Sequence, residues 1–176
     1  MTKIELKNIK YAAFASEETH CYEATLYVNG KRFAHVSNDG HGGCDRQEPI
    51  EPYTYKDLAQ LEKAIAKEFP KWGSEFHDGV EYDMELEILC VKLVNNWHID
   101  KDIKRTLKKI AFIKSVDDKD IYTQGNIAQA KKFGGQLREK IFQKYPKAVI
   151  LNDLPMDEVR PYFQYFFSRP SPFKLA

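Results

Sequence analysis

The stretch Ser37-Asn38-Asp39-Gly40-His41-Gly42-Gly43-Cys44-Asp45-Arg46 gathers the side chains of this chain best suited to chemistry. Three glycines in four residues open backbone conformations closed to other residues. Asp39, His41, Cys44 and Asp45 lie among and beside them, and all of these types ligate metals or move protons. A zinc site is one reading, since His and Cys suit the ion and carboxylates complete a tetrahedral set. Its candidate ligands are His20, Cys21, His41 and Cys44. No CxxC or HxxxH pairing accompanies them. Catalysis is a second reading, with His41 as general base oriented by Asp39 or Asp45, or Cys44 as a nucleophile activated by His41. No nucleophile elbow or cysteine-protease signature surrounds Cys44. In a third, backbone N–H groups of the turn cradle an anion, without the helix start, Lys and Ser/Thr of a P-loop. In a fourth, the glycines build a tight turn, the Asx side chains brace it and the histidine is solvated.

A hairpin must position this stretch. Asn29-Gly30 favours a two-residue type I′ turn, because both residues tolerate positive φ. Tyr22, Ala24, Leu26 and Val28 alternate with Glu23, Thr25 and Tyr27 before the turn, and Phe33 and Val36 follow it. In a two-residue loop, opposed residue numbers sum to 59. Leu26 then faces Phe33 and Cys21 faces Asn38, with opposed Cβ atoms about 5 Å apart. The loop Ser16-Glu17-Glu18-Thr19-His20 is thereby expected at the same end as the glycine-rich loop. Glu17, Glu18, His20 and Cys21 would converge on Asp39, His41, Cys44 and Asp45. The predicted binding set is Glu17, Glu18, His20, Asn38, Asp39, His41, Asp45 and Arg46.

The remaining elements follow from periodicity. An earlier strand from Ile4 to Ala15, broken near Asn8, makes the hairpin a three-stranded antiparallel meander. Asp45 to Tyr53, with Pro49 and Pro52, reads as a loop. Tyr55 to Phe69 reads as a helix with Leu58, Leu61, Ile65 and Phe69 inward. Thr54 and Asp57 form its capping box and Pro70 stops it. Lys71 to Gly79 is predicted as a loop. Tyr82 to Trp97 reads as a second, central helix, with Trp97 inward and His98 near its C-terminal dipole. Cys90 reads as a small buried apolar residue.

Asp100 caps a predicted short basic helix to Lys109. A hairpin over Ile110–Val116 and Ile121–Thr123 follows. Then come a helix from Asn126 to Tyr145 with Ala130, Phe133, Leu137 and Ile141 inward, a strand over Lys147–Leu151, and a last helix from Pro155 through Phe167. The pair Gly134-Gly135 inside the helix from Asn126 to Tyr145 signals close packing or a kink. The aromatic run Tyr162–Phe167 is read as core, with an exposed aromatic patch as the alternative. The tail Ser168–Pro172 is read as non-helical.

This order of strands, helices, hairpin, helix, strand and helix gives an α+β fold: the N-terminal meander packed on helices, then a smaller C-terminal hairpin–helix–strand–helix unit. The expected organisation is one domain over 1–176, with a possible subdivision into 1–99 and 100–176. The 176 residues are 43% hydrophobic and 30% charged, which suits a packed core with a solvated surface. Three cysteines without motif spacing argue against a disulfide scaffold. No apolar run reaches membrane-spanning length and Met1–Lys10 lacks a signal-peptide core, so a cytoplasmic location without membrane contact is expected.

The net charge of +1 hides an asymmetry. Residues 1–90 carry 10 basic against 17 acidic side chains, and residues 91–176 carry 17 against 9. Two halves of opposite charge can pack and partly neutralise each other, or each can present a field that suits partner recognition. Within the basic half, Lys101, Lys104, Arg105 and Lys108 share a helical face that suits phosphate backbones, although a solvated face explains them as well.

With no catalytic motif assembled, the sequence favours a non-catalytic binding protein without a cofactor. It would act through a protein partner, as do the small inhibitors and accessory factors of phages and mobile elements. The alternatives are a small metal-dependent (zinc) or Cys/His hydrolytic enzyme centred on loop 38–46, and a nucleic-acid-binding module in the basic half.

Overall fold

The computed structural model describes residues 2–73 and 80–167, excluding the side chains of residues 165–167. The predicted tail 168–172 and most of the predicted loop 71–79 lie outside the described residues. The fold is α+β. The chain divides into two compact units, Met1–Asn95 and Asn96–Ala176. The division falls four residues before the sequence-based subdivision, inside a helix.

The first unit opens with an antiparallel sheet in simple chain order: β1 (Ile4–Tyr11), β2 (Tyr22–Val28), β3 (Lys31–Asn38) and β4 (Arg46–Pro49). Asn29 and Gly30 both adopt positive φ, at 51° and 80°, as a type I′ turn requires. Strand β1 stops at Tyr11, and Ala13–Ala15 form a 3-10 turn. A bulge between Lys7 and Lys10, with Asn8 at φ 55°, interrupts β1 where the sequence suggested a break.

Two expectations are corrected. The segment read as a loop after Asp45 supplies the fourth strand, pairing Ser37 with Arg46 and Ala34 with Pro49. Pro49 is tolerated there because β4 is an edge strand and needs no second ladder. The hairpin register also slips. Val28 faces Lys31 and Tyr27 faces Arg32, but beyond a bulge Leu26 faces Ala34 and Tyr22 faces Asn38. Phe33 is the extra residue. Phe33 and Ala34 are consecutive yet both buried, which strict alternation forbids and a bulge allows. The Phe33 ring packs on Tyr53 at 4.7 Å.

Helix α1 (Tyr55–Glu68) begins at the predicted cap, where the Asp57 carboxylate accepts from the Thr54 N–H at 2.8 Å and its hydroxyl at 2.7 Å. Helix α2 (Leu86–Thr106) replaces the two predicted helices. Tyr82 instead lies outside it, bridged to Trp72. Neither Gly nor Pro interrupts residues 86–106, so nothing breaks the helix at Trp97. His98 is therefore interior and remote from any helix end. Trp97 is half-buried beneath Lys101, whose Nζ sits 4.1 Å from the ring centroid. The core of the first unit includes Leu26, Val36, Ile65, Leu86, Cys90 and Val94, all fully buried.

The second unit centres on β5 (Ile110–Ile113), flanked antiparallel by β6 (Tyr122–Gln124) and β7 (Val149–Ile150). All four β5 residues are buried because both faces are covered. Ala111 and Ile113 pack with Ile103, Leu151 and Phe163, while Ile110 and Phe112 pack with Ile141 and Ile150. Helix α3 (Ile127–Lys144) starts at Asn126, whose side chain and Gln129 cap each other. It kinks at Phe133 (φ −126°, ψ 24°), directly before Gly134-Gly135. The kink turns Phe133 outward, 41% exposed, against the expectation that it faced inward. Helix α4 (Met156–Phe167) buries Val159 and Phe163 and leaves Tyr162 half-buried. The side chains of the last three aromatics in that run lie outside the described residues.

Candidate functional site

Despite the register slip, loops 16–21 and 38–43 meet. The carbonyl of Gly40 accepts from the N–H groups of Glu17, Glu18 and Thr19 at 3.0, 2.9 and 3.2 Å. Such an approach demands glycine. Gly40 has φ +90°, and a Cβ there would stand 2.0 Å from the Ala15 carbonyl oxygen and 2.9 Å from the Cys21 Cβ. Asn38, 8% exposed, is the hub. Its Oδ1 accepts from the Thr19 hydroxyl at 2.7 Å and the Gly40 N–H at 2.8 Å. Its Nδ2 donates to the Gly43 carbonyl at 2.8 Å and Asp45 Oδ1 at 3.1 Å. All four hydrogen-bonding positions of the amide are used. The Thr19 hydroxyl also accepts from the Gly42 N–H at 3.3 Å. Ser16 closes the other loop, its hydroxyl accepting from the Cys21 N–H and donating to the Ala12 carbonyl, both at 2.9 Å.

Asp45 lies beneath this brace and also accepts from the Tyr22 hydroxyl. Burial pushes its carboxyl above the ordinary aspartate value, against the lowering effect of the Tyr22 and Asn38 hydrogen bonds. Burial likewise pushes the Tyr22 hydroxyl and the Cys90 thiol up. Glu62, which accepts from the Leu86 N–H at 3.1 Å, is raised by burial as well.

The chemically capable side chains disperse from this frame. His41 Nδ1 lies 3.4 Å from Glu17 Oε2, both side chains being well exposed. The His41 N–H donates to Asp39 Oδ1 at 3.3 Å. His20 turns the other way, its Nε2 2.7 Å from Asn95 Oδ1 and its ring edge-on to Tyr11. Cys21 is half-buried and Cys44 exposed, and all three cysteines are free. The charge of Glu87 and its hydrogen bond hold the Cys44 thiol above its ordinary value, the reverse of what an activated nucleophile needs. Among the described residues, no three His, Cys, Asp or Glu side chains form a group able to hold a metal ion. Thus Glu17, Glu18, Asn38, Asp39, His41 and Asp45 are brought together, whereas His20, Cys21 and Cys44 do not join His41 as ligands.

Arg46 projects from β4 opposite Ser37, exposed and without an ion pair among the described residues. It borders a cleft of about 700 Å³ whose lining also includes Lys10, Cys21, Tyr22, Asn38 and Cys44. Sequence reasoning missed Thr19, Tyr22 and Glu87. Thr19 lay inside the predicted loop without reactive chemistry, Tyr22 read as a strand apolar, and Glu87 is 42 residues from its Asp45 N–H partner at 3.3 Å.

The basic stripe is exposed at Lys101, Lys104, Arg105 and Lys108. Arg105 pairs with Asp102 at 2.8 Å, and Lys108 lies beyond the end of α2. The chain matches no protein-family model, no curated protein and no solved structure.

Proposed function

We propose that this chain is a non-catalytic binding protein that presents the braced loops 16–21 and 38–46 to a protein partner, in the manner of a small inhibitor or accessory factor from a phage or mobile element. The observation that carries the reading is the triple acceptance of Glu17, Glu18 and Thr19 N–H groups by the Gly40 carbonyl. With the Asn38 hub, it holds two polar loops in one conformation before any partner arrives, which lowers the ordering cost of association. The outward side chains are Glu17, Glu18, Asp39, His41 and Arg46, and Met1–Asn95 carries 11 basic against 17 acidic side chains. A basic protein surface complements that balance. The raised Cys44 thiol and the dispersed histidines and cysteines count against the hydrolytic and zinc alternatives. No helix among the described residues is long and apolar enough to cross a membrane.

The test is a pull-down from source cells at moderate salt, comparing the wild type with Glu17→Lys/Glu18→Lys. These exposed side chains are not the backbone donors of the brace, so circular dichroism should be unchanged. A partner retained by the wild type and lost by the variant is expected. No stable partner, or equal retention by both, overturns the proposal.

A further inference from the structure

A second cleft lies in the basic unit, far in sequence from the loops above. About 360 Å³ in volume, it opens between β6 and α3 and is lined by Phe112, Tyr122, Thr123, Gln124, Lys140, Ile141, Lys144 and Tyr145. The lining combines aromatic rings, two short polar side chains and two lysines, with no carboxylate. Phe112 stands between the tyrosines, 5.7 Å from the Tyr122 centroid and 5.9 Å from that of Tyr145. At the rim, Lys114 Nζ sits 3.9 Å from the Tyr122 centroid and 5.5 Å from that of Tyr145. Lys144 Nζ lies 5.3 Å from the Tyr145 centroid. Neither Lys140 nor Lys144 forms an ion pair among the described residues. Asn96–Ala176 holds 16 basic against 9 acidic side chains, so the surrounding field is positive.

We propose that this cleft binds single-stranded nucleic acid. The partly exposed rings of Tyr122 and Tyr145, backed by the buried Phe112, offer stacking surface to any base, and lysines track the phosphates; that pairing is the recurring device of single-strand binders. Thr123 and Gln124 are exposed on β6, which pairs only with β5, so their polar groups are available to base edges. The volume suits one nucleotide-sized ligand. A duplex hides its base faces and could use only the lysines. A protein partner would have to leave two lysines unpaired or supply carboxylates to them, and it gains nothing specific from the stacked rings. This site differs from the α2 stripe, where Arg105 is already paired with Asp102.

The test uses a fluorescein-labelled 12-nucleotide oligothymidylate and a duplex of equal length, followed by anisotropy. The single strand is expected to bind better than the duplex. Its log affinity should fall with log salt with a slope of about −0.7 per phosphate neutralised. Lys140→Glu/Lys144→Glu, at two exposed positions, should weaken binding at least about tenfold with unchanged circular dichroism, as expected when several phosphate contacts are lost. Lys104→Glu/Lys108→Glu should leave it within about twofold. Photocrosslinking of a strand carrying 5-iodouracil should mark Tyr122 or Tyr145. No binding at low salt, equal or tighter duplex binding, a flat salt response, or loss confined to the Lys104/Lys108 variant overturns the proposal. So does a crosslink confined to Trp97.

Discussion

Each unit contains an asparagine whose amide ties separate segments together, and the two differ in what they tie. Asn38 joins its own strand end to the hydroxyl of Thr19 and the carboxylate of Asp45, besides two backbone groups. Asn152 meets backbone alone: its Oδ1 accepts from the Ala111 N–H at 2.7 Å, and its Nδ2 donates to the carbonyls of Leu107 at 2.8 Å and Lys109 at 2.9 Å. The second arrangement closes the connection between the end of α2 and β5. The first fixes two surface loops whose exposed side chains include Glu17, Glu18, Asp39 and His41. An asparagine, buried at Asn38 and half-buried at Asn152, is thus scaffold in both places, but only around Asn38 does the scaffold hold up a polar surface. The glycines repeat the contrast. Gly40 sits at positive φ with no room for a Cβ, whereas Gly135 in α3 has nothing within 4 Å of that position.

The strongest way to break the comparison is Gly40→Ala. Left-handed strain and a clash with the Ala15 carbonyl together should cost about 4 kcal/mol. Urea unfolding would show it, and amide exchange at Glu17, Glu18 and Thr19 should accelerate. A loss under about 1 kcal/mol would mean that the brace is not rigid.

Asn38→Ala and Asn152→Ala form the next pair. Each strands buried or half-buried partners at about 1–3 kcal/mol per unsatisfied group, less where water reaches them. A loss of about 3 kcal/mol is expected at Asn38 and about 2 kcal/mol at Asn152. Only Asn38→Ala should also abolish the partner binding proposed for the loops. Equal loss of binding in both variants would erase the functional distinction drawn here.

Gly135→Ala should act in the opposite direction. With open space at the Cβ position, it should stabilise α3 by up to about 1 kcal/mol, seen as a raised melting temperature. A fall would show that the kink at Phe133 needs both glycines.

The smallest effect is a pH trend in Asp45→Asn. Burial raises the native carboxyl, so the folded protein holds this proton more tightly than the unfolded chain. Wild-type stability from this group is therefore present below the ordinary aspartate value of about 3.9 and is lost as pH rises through the raised native value. Asn supplies one acceptor where Asp supplies two, a constant loss of about 1 kcal/mol. The variant's deficit should thus narrow between pH 4 and pH 7 in urea midpoints. A widening deficit would reverse the sign assigned to Asp45.

Local chemistry made much of the fold legible. Asn29-Gly30 announced its turn, Thr54 and Asp57 their cap, and the alternation from Tyr22 to Val28 its strand, because each signal acts over a few residues; Gly134-Gly135 signalled close packing or a kink, and the helix kinks at Phe133 beside them. The meeting of loops 16–21 and 38–46 was legible too, since a tight hairpin must bring its far ends together. Sequence could not say that Phe33 bulges, because burying Phe33 as well as Ala34 depends on packing against Tyr53, twenty residues away. Nor could it join two predicted helices into α2, add β4 beside β3, or send His20 toward Asn95 while His41 turns to Glu17. Composition put histidines, cysteines and carboxylates near one another. Their directions were fixed by long-range packing and by hydrogen bonds to Asn38, Asn95 and Glu87, which no short stretch of chain contains.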